Sequence, residues 1–418
     1  MNETVKEGDH VVLMKSFDSG NMKIIQVQHD AVIHYGKLHF DPSPLVGAQY
    51  GDVFEIDQGK MTKVENFEAF DVELSEKVSG RMSTFNEKNQ FSQEKIIRNK
   101  KRKRHANVVT LIRPTLLLIN EMLFAREKIG GLRSDMLGQM MTLSNIQNGS
   151  KCLVLDHNLG MMTSAIVSRV LPDGVCIQLL QDYEIIQTTR KTLNMLNIKS
   201  TEAQKSLCSI TIRDLYKVYK GLDSFNCEGD ILARRNKAHL DRLEQLQNEG
   251  LEHQEELKKP KIDNCGENQA NTTTNYERLQ QILLNKELNR ELRQRERVDA
   301  SIILKQCLLD AIILVVQNDH PLPILKMVYN FLAPSRQFVI YSDTVDPLLD
   351  CHHYLKTNCL AVSLNISESW LRKFQVLPDR TRPEMNVSGY GGYLLSGTKA
   401  LFTSEVTTRD GEALGADC

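Results

Sequence analysis

The chain has 418 residues, of which 41% are hydrophobic and 25% charged. That is ordinary globular usage and leaves room for two or three domains. A formal net charge of −1 excludes a uniformly basic or acidic protein, so any polyanion contact must come from a local cluster.

Nine cysteines, all from Cys152 onward and without a CxxC pair, fit reduced thiols rather than a disulfide framework. Cys351, His352, His353 and Cys359 lack the paired spacing of a metal site. The opening MNETVKEGDH has no apolar signal core, and no apolar run approaches the ~20 residues that cross a bilayer. A soluble intracellular protein is expected.

From Gly8 to about Val64 the apolar residues alternate at period two. HVVLMK, KIIQVQ, AVIHYGKLHF and DVFEID predict short strands, separated by Asp18-Ser19-Gly20 and by Asp41-Pro42-Ser43-Pro44. A small β-barrel-like domain over residues 8–94 follows, including a polar connector from Asn66 to Gln93. Residues 95–105 then form the most biased stretch of the chain. Lys95, Arg98, Lys100, Lys101, Arg102, Lys103 and Arg104 are all basic, with no acid between Lys95 and Leu111.

Over residues 106–225 the texture becomes alternating helix and strand. TLLLINEMLFARE and SDMLGQMMTLSNI predict helices, the second capped by Ser134. KCLVLD, VCIQLL and CSITI predict strands, with the helix MMTSAIVSRVL between the first two. This is the grammar of a parallel sheet. A polar insertion and a charged helix occupy 226–298. The α/β pattern resumes over 299–398 with DAIILVV, LPILKMVYNFLA, QFVIYS, LLDCHHYLK, CLAVSLNI and GGYLLSG, ending in a hairpin, and residues 399–418 form a tail. The expected fold is α+β multidomain: the barrel-like domain, then a Rossmann-like, methyltransferase-type domain on a seven-stranded sheet.

In such a sheet the first strand of an S-adenosylmethionine-dependent enzyme ends in an acid and runs into a loop of three alternating glycines. Glycine lets the backbone approach the cofactor, and the next helix presents its N-terminus. Here those positions hold Asp156, Asn158, Gly160 and Met162, so two of the three glycines are missing. The acid expected at the end of the second strand is replaced by Gln178, with Asp182 and Glu184 later. Asp319 and Pro321 come too far after their strand to form the usual catalytic motif. The loop reads as degenerate, with no catalytic residue and no cofactor bound by this chain. The alternative is an enzyme that binds the cofactor through an atypical loop.

The segments FSQEKIIRNKKRKRHANVVTLIRPT, AREKIGGLRSDMLGQMMTLSNIQNGSKCLVLD and ISESWLRKFQVLPDRTRPEMNVSGYGGYLLSG make a longer resemblance. They resemble the non-catalytic, RNA-binding subunits of the eukaryotic tRNA adenine-58 N1-methyltransferases. The resemblance implies a catalytic partner that binds S-adenosylmethionine, a heterotetramer with two copies of each subunit, tRNA as the RNA, and residence in the nucleus.

Within that frame, the basic run Lys95–Arg104 is the first RNA-contact candidate, since each neutralised phosphate releases counterions. The same KKRKR composition also serves nuclear localisation. Arg372, Lys373, Arg380 and Arg382 form a second group near Trp370, suited to phosphates or to internal pairing with Glu368, Asp379 or Glu384. Gly389, Gly391 and Gly392 lack the lysine of a phosphate loop and predict a tight hairpin against a partner subunit.

Overall fold

The computed structural model describes residues 4–15, 18–29, 31–65, 94–95, 99, 107–126, 132–181, 186–198, 205–222, 291–306, 308–317, 319–376, 381–383, 385 and 390–401. The polar connector, most of the basic run, residues 223–290 and the end of the tail lie outside them. The chain divides into two compact units, Met1–Leu207 with Leu308–Cys418, and Cys208–Cys307.

The first unit opens with an antiparallel sheet. Strands β1 (His10–Lys15), β2 (Asp18–Gln26), β5 (Val53–Asp57), β6 (Lys60–Val64) and β7 (Val108–Ile112) lie in the order β2-β1-β7-β5-β6. A separate hairpin, β3 (Ile33–Tyr35) with β4 (Leu38–Phe40), packs against it. Alternation at period two sends Val11, Leu13, Ile25, Phe54, Ile56, Val109 and Leu111 into one buried cluster with Tyr35 and Phe40.

The sequence reading assigned Val108–Ile112 to the α/β region. The structure instead places β7 in the middle of the first sheet, paired with β1 on one side and β5 on the other. VVTLI is as apolar as a central strand must be, and nothing within the five residues tells which sheet recruits them.

The larger sheet has the order β10-β9-β8-β11-β12-β16-β13. Its strands are β8 (Lys151–Asp156), β9 (Val175–Leu180), β10 (Leu207–Thr211), β11 (Leu309–Val316), β12 (Leu332–Ser342), β13 (Ala361–Glu368) and β16 (Tyr393–Lys399). β8 pairs in parallel with β9 and β11, and β11 with β12. β16 inserts antiparallel between β12 and β13. Two short strands, β14 (Phe374–Gln375) and β15 (Arg382–Pro383), pair with each other in the connection from β13 to β16.

The central strands are buried on both faces, which explains their unbroken apolar runs. On one face Val154, Ile313, Val315, Val339 and Leu394 meet side chains of helices α1 (Leu116–Arg126), α2 (Ser134–Leu143), α3 (Met161–Val170) and α4 (Ile186–Met195). On the other, Leu155, Ile312, Leu314, Phe338 and Ile340 are equally buried.

Ser134 is the first helical residue of α2 rather than its cap. Arg133 takes the cap position and gives no side-chain cap bond. The two parts of this unit are joined by an asparagine clamp. His10 N donates to Asn197 Oδ1 at 2.7 Å, and Asn197 Nδ2 donates to the His10 carbonyl at 2.9 Å. Asn197 has φ of 57°, a left-handed conformation that asparagine tolerates.

Candidate functional site

The carboxyl ends of β8, β9 and β11 converge where a parallel sheet of this kind holds its ligand. β8 ends in Asp156, which is buried. Its Oδ1 accepts from Asn158 N at 2.8 Å. Its Oδ2 accepts from Thr163 N at 2.8 Å and from Thr163 Oγ1 at 3.0 Å. Burial pushes the Asp156 carboxyl up to about 6, against the pull of those hydrogen bonds. The acid thus ties the strand end to the first turn of α3.

Beyond it the backbone turns through Leu159 (φ 50°) and Gly160 (φ 76°), and α3 begins at Met161. Met161 and Met162 are fully buried, and Met162 belongs to the core under the sheet rather than to the loop surface. Gly160 is needed for more than its φ. A β-carbon there would lie 2.5 Å from Thr189 Cα and 2.5 Å from Thr189 Oγ1.

Thr189 stands on α4, a helix the sequence reading did not predict. It is fully buried, and its Oγ1 accepts from Gln178 Nε2 at 2.8 Å. One turn on, Thr192 Oγ1 donates to the Leu159 carbonyl at 2.9 Å. Gln178, where an acid for ribose would stand, is therefore committed to the chain's own helix. Helix α4 packs on the loop at Leu159 and Gly160, and Gln178, Asn158 and Met162 stand where an acid and two glycines would receive S-adenosylmethionine, a set that does not fit it.

Some of the remaining polar groups around the crevice are used structurally, whereas His157 Nε2, Asn158 Nδ2 and Gln178 Oε1 are buried without a hydrogen-bond partner among the described residues. Gln181 Nε2 donates to Asp319 across the strand ends. Pro321 is the first residue of α6 (Pro321–Val328), where its fixed φ starts a helix, and His320 caps that helix by accepting from Leu322 N at 3.3 Å. Burial holds the His157 imidazole below its ordinary value, with Asp319 opposing. Cys351 lies in the core face of α7 (Asp346–Thr357), where burial pushes its thiol up to about 12, while Cys359 is exposed. Among the described residues no three metal-ligating side chains come together.

The second half of the site is a clamp on the connection from β13 to β16. The buried Arg133 donates from Nε to Asp135 Oδ1 at 2.6 Å and from Nη2 to Asp135 Oδ2 at 2.9 Å. The same Nη2 donates to the Ser369 carbonyl at 2.8 Å and lies 3.0 Å from its hydroxyl. Burial works against ionisation of Asp135. The bonds from Arg133 and Ser369 outweigh it, so this carboxyl sits below the usual carboxylate range. At the other end of the connection, a β-carbon at Gly391 would lie 2.5 Å from Arg133 Nη2, and one at Gly392 2.5 Å from the Tyr341 ring and hydroxyl.

Gly391 and Gly392 thus pack inside this chain, on Arg133 and Tyr341, and lead directly into β16. One guanidinium holds both ends of a segment that exposes Trp370 (73%), Phe374, Val376 (75%), Met385 (87%) and Tyr390.

Of the predicted basic residues, Lys95 and Arg372 are exposed, and Arg382 is exposed in β15. Lys373 is paired with Glu121 of α1 at 3.0 Å, a partner not anticipated from the sequence. Arg98, Lys100, Lys101, Arg102, Lys103, Arg104 and Arg380 lie outside the described residues.

Residues 63–255 match the model of the Gcd10p family. A mouse protein named tRNA (adenine(58)-N(1))-methyltransferase non-catalytic subunit TRM6 is 27% identical over 94% of this chain and 88% of its own length. A Dictyostelium discoideum protein of the same description is 26% identical over 94% of this chain and 79% of its own length. Among solved structures, an S-adenosylmethionine-dependent O-methyltransferase from Thermotoga maritima aligns over 96% of this chain and 97% of its own, with a TM-score of 0.54 at 12% identity. That likeness is one of fold.

Proposed function

Because the chain belongs to the Gcd10p family, we propose that it is the tRNA-binding, non-catalytic subunit of a two-component methyltransferase. That enzyme forms N1-methyladenosine at position 58 in the T-loop of tRNA. The observation that supports this reading is the loop after β8, where Thr189 packs on Gly160 and Gln178, in place of a ribose-binding acid, bonds to Thr189. The chain keeps the scaffold of the enzyme and binds no cofactor itself. S-adenosylmethionine belongs to the catalytic partner.

Adenine N1 is on the pairing edge of the base, so the base must be exposed before it can accept a methyl group. A second subunit that grips the tRNA body supports that exposure without touching the reacting atoms. Lys95 to Arg104 supply the phosphate contacts, with Arg372, Lys373, Arg380 and Arg382 as a second group. The exposed apolar side chains between Ser369 and Gly391 are the surface for the catalytic subunit, and the assembly holds two copies of each chain. The enzyme works in the nucleus, where the run KKRKR also serves entry.

The test is transfer of labelled methyl from S-adenosylmethionine to an unmodified tRNA by this chain, by a catalytic subunit from the same organism, and by both. Transfer by the mixture alone is expected. Transfer by this chain alone would overturn the reading.

A further inference from the structure

The short helix α5 (Ile212–Tyr219) lies in the unit Cys208–Cys307 and follows β10. Its start is fixed by Thr211, whose hydroxyl oxygen accepts from Asp214 N at 3.2 Å. One side of the helix is closed: Asp214, Leu215 and Val218 are buried. Asp214 Oδ2 accepts from Arg297 Nη2 at 2.6 Å and from Thr211 Oγ1 at 2.7 Å, and Lys217 stands 3.5 Å from Oδ1. Asp214 is the only acid between Ile212 and Leu222, and its charge is spent inside the unit.

The other side of the helix carries Arg213, Tyr216, Tyr219 and Lys220, all exposed. Tyr216 is 51% and Tyr219 43% exposed, unusual for rings that ordinarily find apolar cover. The Lys220 ammonium lies 5.8 Å from the centre of the Tyr216 ring and 5.6 Å from that of Tyr219. Two open ring faces are therefore grouped about one cation, on a surface whose acid has been removed.

We propose that the exposed face of α5 is an RNA contact that takes unpaired nucleotides, with bases stacked on Tyr216 and Tyr219 and phosphates drawn to Arg213 and Lys220. Open rings interleaved with cations are the chemistry that recognises unstacked bases, because every base offers a flat face and every linkage a negative charge. Among the described residues no acid pairs with Arg213 or Lys220, and the negative RNA backbone complements their charge. This inference rests on the reading of the chain as the tRNA-holding subunit and adds a contact separate from Lys95 to Arg104.

The experiment measures tRNA affinity of the assembled two-subunit enzyme at several salt concentrations. The variants are a Tyr216→Ala/Tyr219→Ala pair, a Tyr216→Phe/Tyr219→Phe pair, and Lys220→Ala. Removing both rings should weaken binding at least about tenfold, with the salt slope unchanged. The Phe pair should bind as the parent does, since stacking needs the ring and not the hydroxyl. Lys220→Ala should reduce the salt slope by about one.

Unchanged affinity in the Ala pair would overturn the proposal. So would equal loss in the Phe pair, which assigns the effect to the hydroxyls. Lost methyl transfer with tRNA affinity intact would make the face a protein contact and also overturn it. If the Ala pair binds normally while neutralising Lys95 to Arg104 weakens binding, only this inference falls. A parent enzyme whose tRNA affinity owes nothing to this chain sinks the reading beneath it as well.

Discussion

Gly160 and Thr189 are in backbone-to-backbone contact: the space a β-carbon would need at Gly160 is taken by the α-carbon, β-carbon and hydroxyl of Thr189. The glycine that in a cofactor loop makes room for a ligand here makes room for a helix. Gly160→Ala must both strain a left-handed φ and displace α4, a loss of about 3 kcal/mol. Denaturant unfolding of the full chain checks this, and added S-adenosylmethionine should not raise the midpoint of the parent or the variant.

Asp156 predicts a pH effect with a defined sign. Its folded value of about 6 lies above the ordinary value of 3.8, so the native chain holds the extra proton between them. Stability from this group is therefore greatest at or below about pH 4, falls as pH rises toward 6, and is level above that. Asp156→Asn removes the titration, so the difference in unfolding free energy between parent and variant should change across pH 4 to 6 and be flat from 7 to 8. A flat difference throughout would refute the assignment.

Arg133 is a buried cation that bonds to Asp135 and to Ser369, on two chain segments. Arg133→Ala leaves Asp135 as a poorly paired carboxylate and frees Ser369, a loss of about 3 kcal/mol. Arg133→Lys keeps the charge but not the fork of donors, and should recover only part of it. Thermal unfolding reads the stability. Because the clamped segment carries the surface assigned to the catalytic subunit, subunit affinity should weaken in the same order.

Replacing the basic residues between Lys95 and Arg104 with glutamine should weaken tRNA binding at every sequence alike. The plot of log affinity against log salt should lose about 0.7–0.9 of slope for each phosphate contact removed. An unchanged slope would assign the run to nuclear entry alone.

The central strands were legible because burial on both faces leaves no alternation to disguise them, as in LVLD and IILVV. Helix α4 was not. Its sequence, IQTTRKTLNM, has few apolar residues at helical spacing, and the threonines that matter act through hydroxyls and close packing that periodicity does not register. Helix α5 was missed for a related reason, since eight residues with Leu215 and Val218 as the buried apolar pair make too short a stripe. That Asn158 and Met162 stand where glycines are expected is visible in the sequence. The contact of Thr189 with Gly160 is not, because it forms only after two strands have paired.

The position of β7 between β1 and β5 has a topological result. The connection containing the basic run leaves one sheet at Val64 and re-enters the same sheet at Val108. One end is anchored by the edge strand β6 through its ladder with β5, and the other by β7, held by ladders on both sides. A protease that cuts within this connection separates the chain into two polypeptides without separating the folded body. The nicked protein should elute as one particle in native buffer and resolve into two bands only after denaturation.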